Sequence, residues 1–213
     1  MARDAPINAQ GGRIVAKFFG NLGSVLLLAF ALLVVVIFVF HSSTDRPVPD
    51  YLNGLFRYLH VLFGVMWIGL LYYFNFVQIP TMPSVPAELK PGVTKYIAPQ
   101  ALFWFRWAAV ATLVMGLVIA AHPPQGAAYL VGALTLQPPY TMIGLGMWLG
   151  IIMAANVWMF IWPNQRIALG LVEATPEAKA KAATTAMMFS RTNVILSVPM
   201  LYTMVTQGVL GGA

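Results

Sequence analysis

The sequence contains no cysteine. That absence excludes disulfides, iron–sulfur clusters, thiolate metal sites and covalently attached c-type haem. Charge is almost as scarce. Asp, Glu, Lys and Arg make up 8% of the 213 residues, where a soluble domain carries about 25%. So few charges cannot cover a water-facing surface, which excludes a soluble enzyme. The 60% apolar content likewise excludes a disordered chain. Acidic residues are the rarest charge: Asp4, Asp45, Asp50, Glu88, Glu173 and Glu177, all read as loop or tail residues. A proton pump built on membrane carboxylates and a carboxylate-bridged metal site are therefore not expected. No Walker loop, G-x-S-x-G or H-E-x-x-H motif is present. The twelve Lys and Arg residues give a net charge of +6 but form no basic patch. They point away from nucleic acid and towards membrane topology.

What is present is long apolar runs. About twenty apolar residues cross the hydrocarbon core as a helix. Five spans fit that length, at about 21–40, 55–79, 101–121, 141–162 and 192–209. The first contains no charge and follows Arg3, Arg13 and Lys17. It is too long for a signal-peptide core and lacks a small-residue cleavage site, so it reads as an uncleaved anchor. Pro80, Pro83, Pro86 and Pro91 read as an extended loop. Pro123 and Pro124 close span three, and Pro163 closes span four. The apolar stretch 127–136 is too short to cross and reads as a re-entrant or interfacial piece. Thr175, Pro176 and Glu177 form a helix start, which predicts a cytoplasmic helix at about 175–188. The domain reading is a tail at 1–20 and a single transmembrane helical domain at 21–213.

Cations set the orientation. Lys90 and Lys95 follow span two, and Arg166, Lys179, Lys181 and Arg191 follow span four. With the basic tail, they place the N-terminus in the cytoplasm and the C-terminus outside. The fold class is thus an all-α integral membrane protein, a bundle of five helices in a bacterial cytoplasmic membrane.

Two groups of residues carry chemistry. The three histidines, His41, His60 and His122, fall on the outer side, where imidazoles are the usual protein ligands for haem iron, copper or zinc. His41 and His122 also read as ordinary helix-end residues. His60 lies inside a span, beside Gly64 and Gly69, and is a functional candidate by default. It is the candidate metal ligand, with b-type haem the first choice of cofactor and His41, His122 or a partner residue favoured as second axial ligand over Met66, which lies nearly two turns deeper on the same helix. The second group lies at the cytoplasmic end: Asn75, Gln78, Arg106, Asn156, Asn164, Gln165, Arg166, Arg191 and Asn193, with Ser197 one turn deeper. It reads either as interhelical glue with snorkelling arginines or as a polar pocket for a planar ligand or an anion. The twelve methionines and six tryptophans read as flexible filler and an aromatic belt.

Three blocks carry a resemblance. LNGLFRYLHVLFGVMWIGLLYYFNF, GIIMAANVWMFIWPNQRIALG and FSRTNVILSVPMLYTMV resemble helices of the membrane domain of bacterial membrane-bound urate hydroxylase, the urate oxidase N-terminal domain. The resemblance covers roughly residues 52–207. In the third block the family pattern reads H-N-N; Thr192 stands at the histidine, Asn193 matches and Val194 replaces the second asparagine. Full-length members carry further helices and a C-terminal c-type cytochrome, and this chain reads as a short form. The resemblance implies a membrane scaffold working beside a c-type cytochrome. The expectation is a membrane subunit of a respiratory or photosynthetic electron-transfer assembly, in contact with other membrane subunits and with lipid. Two alternatives stand beside it: a urate hydroxylase-like oxidase passing electrons to a separate cytochrome, and a purely structural subunit. Urate turnover by this chain alone is not expected.

Overall fold

The computed structural model describes residues 6–42 and 46–210, with side chains from Arg13 onward. Arg3 lies outside the described residues. Every regular element among them is helical. The chain divides into two compact units, Met1–Pro47 and Val48–Ala213. The expected boundary at residue 20 therefore moves to Pro47, and the first span groups with the tail.

The first unit contains α1 (Pro6–Phe19) and α2 (Leu22–His41). Asn21 caps α2 by accepting from the Ser24 amide at 3.3 Å. The twenty residues of α2 extend about 30 Å at 1.5 Å each, the thickness of a hydrocarbon core. None of its residues is buried. Its apolar side chains run all the way round, as in a helix whose solvent is lipid.

The second unit is the bundle. Its helices are α3 (Val48–Tyr72), α4 (Ile79–Thr81), α5 (Lys90–Gly92), α6 (Ala98–Ala121), α7 (Gly126–Leu134), α8 (Thr141–Asn156), α9 (Trp162–Ala168) and α10 (Pro176–Leu210). Span two begins seven residues earlier than expected, because Pro49 suits a first helical turn and Asp50 faces the positive end of the dipole. That places the acid of Asp50 within a helix rather than in a loop.

Pro123 and Pro124 stop span three where expected, α6 ending at Ala121, but Pro80 and Pro163 do not stop spans two and four. Wide π turns occur at Tyr73–Gln78, Val93–Ile97 and Val157–Ile161. Each is followed two residues later by a proline: Pro80, Pro99 and Pro163. A proline cannot donate to the i−4 carbonyl and its ring clashes with it. A π turn shifts the bonding to i−5, as in the Ile79 amide bonding to the Phe74 carbonyl, so the helix passes the proline without a break. The 80–91 segment is accordingly mostly helical turn, with a loop only at residues 85–89. Span four likewise continues into α9.

The predicted cytoplasmic helix and span five are one element. Thr175 caps it through the Ala178 amide at 3.2 Å, and α10 then runs 35 residues without interruption. No breaker lies between Met188 and Thr192, so nothing ends the first part. Residues 127–136 do form the short helix expected of them, α7.

The core joins Trp67, Leu71 and Phe74 to Leu102, Phe105 and Ala109, and to Met153, Val157 and Ile161. Small residues set the helix spacing, as in membrane bundles generally. A Cβ on Gly146 would lie 2.5 Å from Thr203 Oγ1, so the Thr203 side chain of α10 packs directly on the α8 backbone there. Among the described residues five helical segments are long and apolar enough to cross a membrane, by length and composition: Leu22–His41, Val48–Ser84, Lys90–Ala121, Thr141–Ala168 and Pro176–Leu210.

Candidate functional site

His60 lies about three turns into α3, deeper than expected, because α3 starts at Val48. Its Nδ1 is 2.8 Å from the Thr112 carbonyl of α6. A carbonyl only accepts, so Nδ1 carries the proton and donates. The lone pair of the neutral ring then sits on Nε2, which has no hydrogen-bond partner among the described residues. This is the arrangement that prepares a histidine to ligate through Nε2. Gly116 makes it possible: a Cβ there would stand 3.0 Å from His60 Cε1. The Thr112-x-x-x-Gly116 spacing is a small-residue stripe that the sequence shows and that a search centred on histidines passes over.

His60 lines a cavity of about 640 Å³ between α3, α6, α7, α8 and α10. That size falls within the range of about 300–1,000 Å³ usual for cofactor and ligand pockets. Its polar groups gather at one end: Arg57, His60, Gln125 and Tyr129. Asn53 Nδ2 donates to Gln125 Oε1 at 2.9 Å and fixes that side chain. Burial pushes the Tyr129 phenol above its ordinary range, so it stays a neutral donor. The remaining wall is apolar and includes Met147, Met200 and Met204. These three also line a smaller space of about 50 Å³ on the other side of His60. Tyr72 lines the far end of the large cavity, and its hydroxyl is 3.0 Å from Ser197 Oγ.

Within the bundle, His122 does not join His60. His122 caps α6, with Nδ1 2.7 Å from the Pro123 carbonyl and its ring edge-on to Phe56 at 5.3 Å. It lines neither cavity. The proline pair that ends α6 turns it away, which length counting along the chain does not reveal. His41 ends α2 in the other unit. Met66, offered as an alternative ligand, is exposed and also lines neither cavity. Among the described residues no three His, Asp or Glu side chains group as a metal site. The methionines within reach of the His60 cavity are Met147, Met200 and Met204.

At the other end the expected polar cluster divides in two. Asn193 is fully buried. It accepts from Asn156 Nδ2 at 2.7 Å and donates to the Met153 carbonyl at 3.0 Å. Asn156 also donates to the Phe189 carbonyl at 2.9 Å. Asn75, in the first π turn, donates to Ser190 Oγ and to the Leu71 carbonyl, each at 2.8 Å. This knot ties α3, α8 and α10 together, as the glue reading requires. Ser190 was not among the expected residues. Its spacing with Asn193 and Ser197, at i, i+3 and i+7, marks one polar stripe on α10.

The second part is aromatic and cationic. The Arg106 guanidinium stacks 3.3 Å from the centre of the Trp162 ring and lies 5.9 Å from Trp158. Such a desolvated contact is worth about 2 kcal/mol. Arg166 lies 6.0 Å from the same Trp162 ring. Other members of the predicted cluster fall outside both parts. Asn164 donates to its own helix at the Phe160 carbonyl, 2.8 Å away. Gln165 makes no side-chain hydrogen bond among the described residues, Gln78 Oε1 is buried without a partner, and Arg191 is exposed.

The fold and its spans define a multi-helix protein with the lengths and composition of a multi-pass membrane protein. Residues 127–209 match the family described as urate oxidase N-terminal, and over that stretch the chain is similar to it. The match contains the second and third sequence blocks and leaves the first outside. Neither a curated protein nor a solved structure matches the chain. Within the matched stretch Thr192 is exposed and bonds back to the Met188 carbonyl at 3.1 Å, while Asn193 is the centre of the amide knot.

Proposed function

We propose that the chain is a membrane subunit of an electron-transfer assembly and that its redox group is a b-type haem held at His60. One observation carries the reading. His60 donates its Nδ1 proton to the Thr112 carbonyl, which leaves Nε2 as a ligand beside a cavity of cofactor size. The chain's residues fit the group. Imidazole and thioether are both haem ligands, and Met147, Met200 and Met204 line the space around His60. Arg57 at the polar end matches haem propionates. Bound there, the haem would supply one-electron transfer. The protein's part is to hold the imidazole in one tautomer, exclude water with the apolar wall and neutralise the propionates.

Purified in mild detergent, the protein should show a haem absorbance band that His60→Ala abolishes while the chain stays inserted and folded. A purified protein without the band, or a band unchanged in His60→Ala, overturns the assignment and leaves a purely structural subunit. In this reading the N-terminus is cytoplasmic and the C-terminus external, next to a c-type cytochrome. Alkaline phosphatase fused at Ala213 should be active there and green fluorescent protein dark; the reverse pattern refutes the orientation.

A second reading, a urate hydroxylase-like oxidase, is supported by the family match over residues 127–209. The threonine at the histidine position speaks against catalysis by this chain alone. Urate turnover by the purified chain with a chemical electron acceptor would restore that reading.

A further inference from the structure

The Arg106 side chain is nine-tenths buried, and neither its Nε nor its Nη1 has a hydrogen-bond partner. The indole Nε1 of Trp158, in contact with the same guanidinium, is also buried without a partner. A polar group in that position costs free energy until something accepts from it, and a buried cation costs more. All three orphaned atoms are donors. Arg166 adds a second positive charge, 6.0 Å from the centre of the same Trp162 ring. No carboxylate is available from the local chain, since the sequence has no acidic residue between Glu88 and Glu173. Donors and positive charge without an acceptor form a site complementary to an anion.

We propose that Arg106, Arg166 and Trp158 form a binding site for a phosphate oxyanion. The planar guanidinium of Arg106 carries unpaired N–H donors at Nε and Nη1, in fixed directions that suit the oxygens of a phosphate group. Trp162 holds the fork flat and keeps it from turning out to solvent. The site lies near the end of span four, level with the arginines and lysines of the basic loops, where basic pockets between membrane helices take up anionic lipid headgroups. A lipid phosphodiester and free phosphate share this chemistry. The site is separate from the His60 cavity, and its test does not depend on that cavity's occupant.

The test uses the full chain in mild detergent, examined by native mass spectrometry and thermal unfolding. The probes are phosphatidylglycerol, diacylglycerol with the same acyl chains, and inorganic phosphate. Phosphatidylglycerol should be retained at least tenfold better than diacylglycerol, and Arg106→Gln should remove that preference. Arg166 is exposed, so Arg166→Gln should leave folding intact while weakening retention about threefold. Retention of the lipid without protection by inorganic phosphate identifies a headgroup site; protection by inorganic phosphate alone identifies a free-anion site. Equal retention of both lipids by the wild-type chain, with no effect of inorganic phosphate, overturns the proposal whether or not Arg106→Gln folds.

Discussion

The two ends of the bundle use polar residues in opposite ways. At one end Asn75, Asn156, Asn193 and Ser190 hydrogen-bond to one another and to helix backbone, with only Asn75 Oδ1 and Asn156 Oδ1 of the two outer amides left over. At the other, Arg57, His60, Gln125 and Tyr129 border a cavity of about 640 Å³. Both sets are polar groups inside apolar helices and look alike as letters. The difference lies in what faces them. Where two helices bring amides together, the hydrogen bonds close between protein atoms and the region becomes structural. Where Gly64, Gly69 and Gly116 thin the wall, space opens and a polar group keeps a free valence.

If the amide knot is structural and the His60 end is not, substitutions at the two ends should separate stability from cofactor content. The largest stability loss should follow Asn193→Ala. It removes two hydrogen bonds and strands Asn156 Nδ2 from a buried partner, for about 2 kcal/mol. Thermal unfolding in detergent measures it, and a loss below about 0.5 kcal/mol would break the contrast. The haem band should be unchanged.

Gly116→Val reverses the pattern. Its Cβ meets the His60 ring at 3.0 Å, and the two further methyls crowd the ring, so it is pushed from its place against the Thr112 carbonyl. Cofactor absorbance should be lost with a smaller stability change than in Asn193→Ala. Retention of the full band would show that the His60–Thr112 bond does not prepare the ligand.

Ser190→Ala removes one hydrogen bond from Asn75, whose amide still reaches the Leu71 carbonyl. A loss of about 0.6 kcal/mol is expected, the average for a single interhelical bond in a membrane protein. A loss as large as that of Asn193→Ala would mean the knot is one cooperative unit.

The smallest effect concerns pH. Burial raises the Tyr129 phenol in the folded state, so folding favours its neutral form. The stability that this contributes is fully present below the ordinary tyrosine value of about 10 and is lost as the pH rises through the higher folded value. Tyr129→Phe should flatten the alkaline fall of the melting temperature above about pH 10 and leave neutral pH unaffected. An identical alkaline slope in the variant would remove Tyr129 from the account.

Much of this was legible in the letters. Hydropathy located all five spans, and the Thr175 cap fixed the start of α10. Asn156 and Asn193 were recognisable as membrane amides that needed partners. The span ends were less legible, because a proline reads as a stop and only the π turns before Pro80, Pro99 and Pro163 show how a helix continues through one. Ser190, Thr112 and Gly116 were passed over because each is small and ordinary alone. Their role comes from the side chain on the facing helix.

The sequence by itself determined that the chain is helical and apolar, since these follow from composition and from the length a helix needs to cross a bilayer. It also marked His60 as the histidine within a span. Only the tertiary structure decided that His60 faces Thr112 and a cavity, that His122 turns away, and that Arg106 lies against Trp162 with donors to spare. Those outcomes depend on which residues of different helices meet. Helix contacts in a bundle are fixed by small residues and packing between segments far apart in the chain, which no local run of residues encodes.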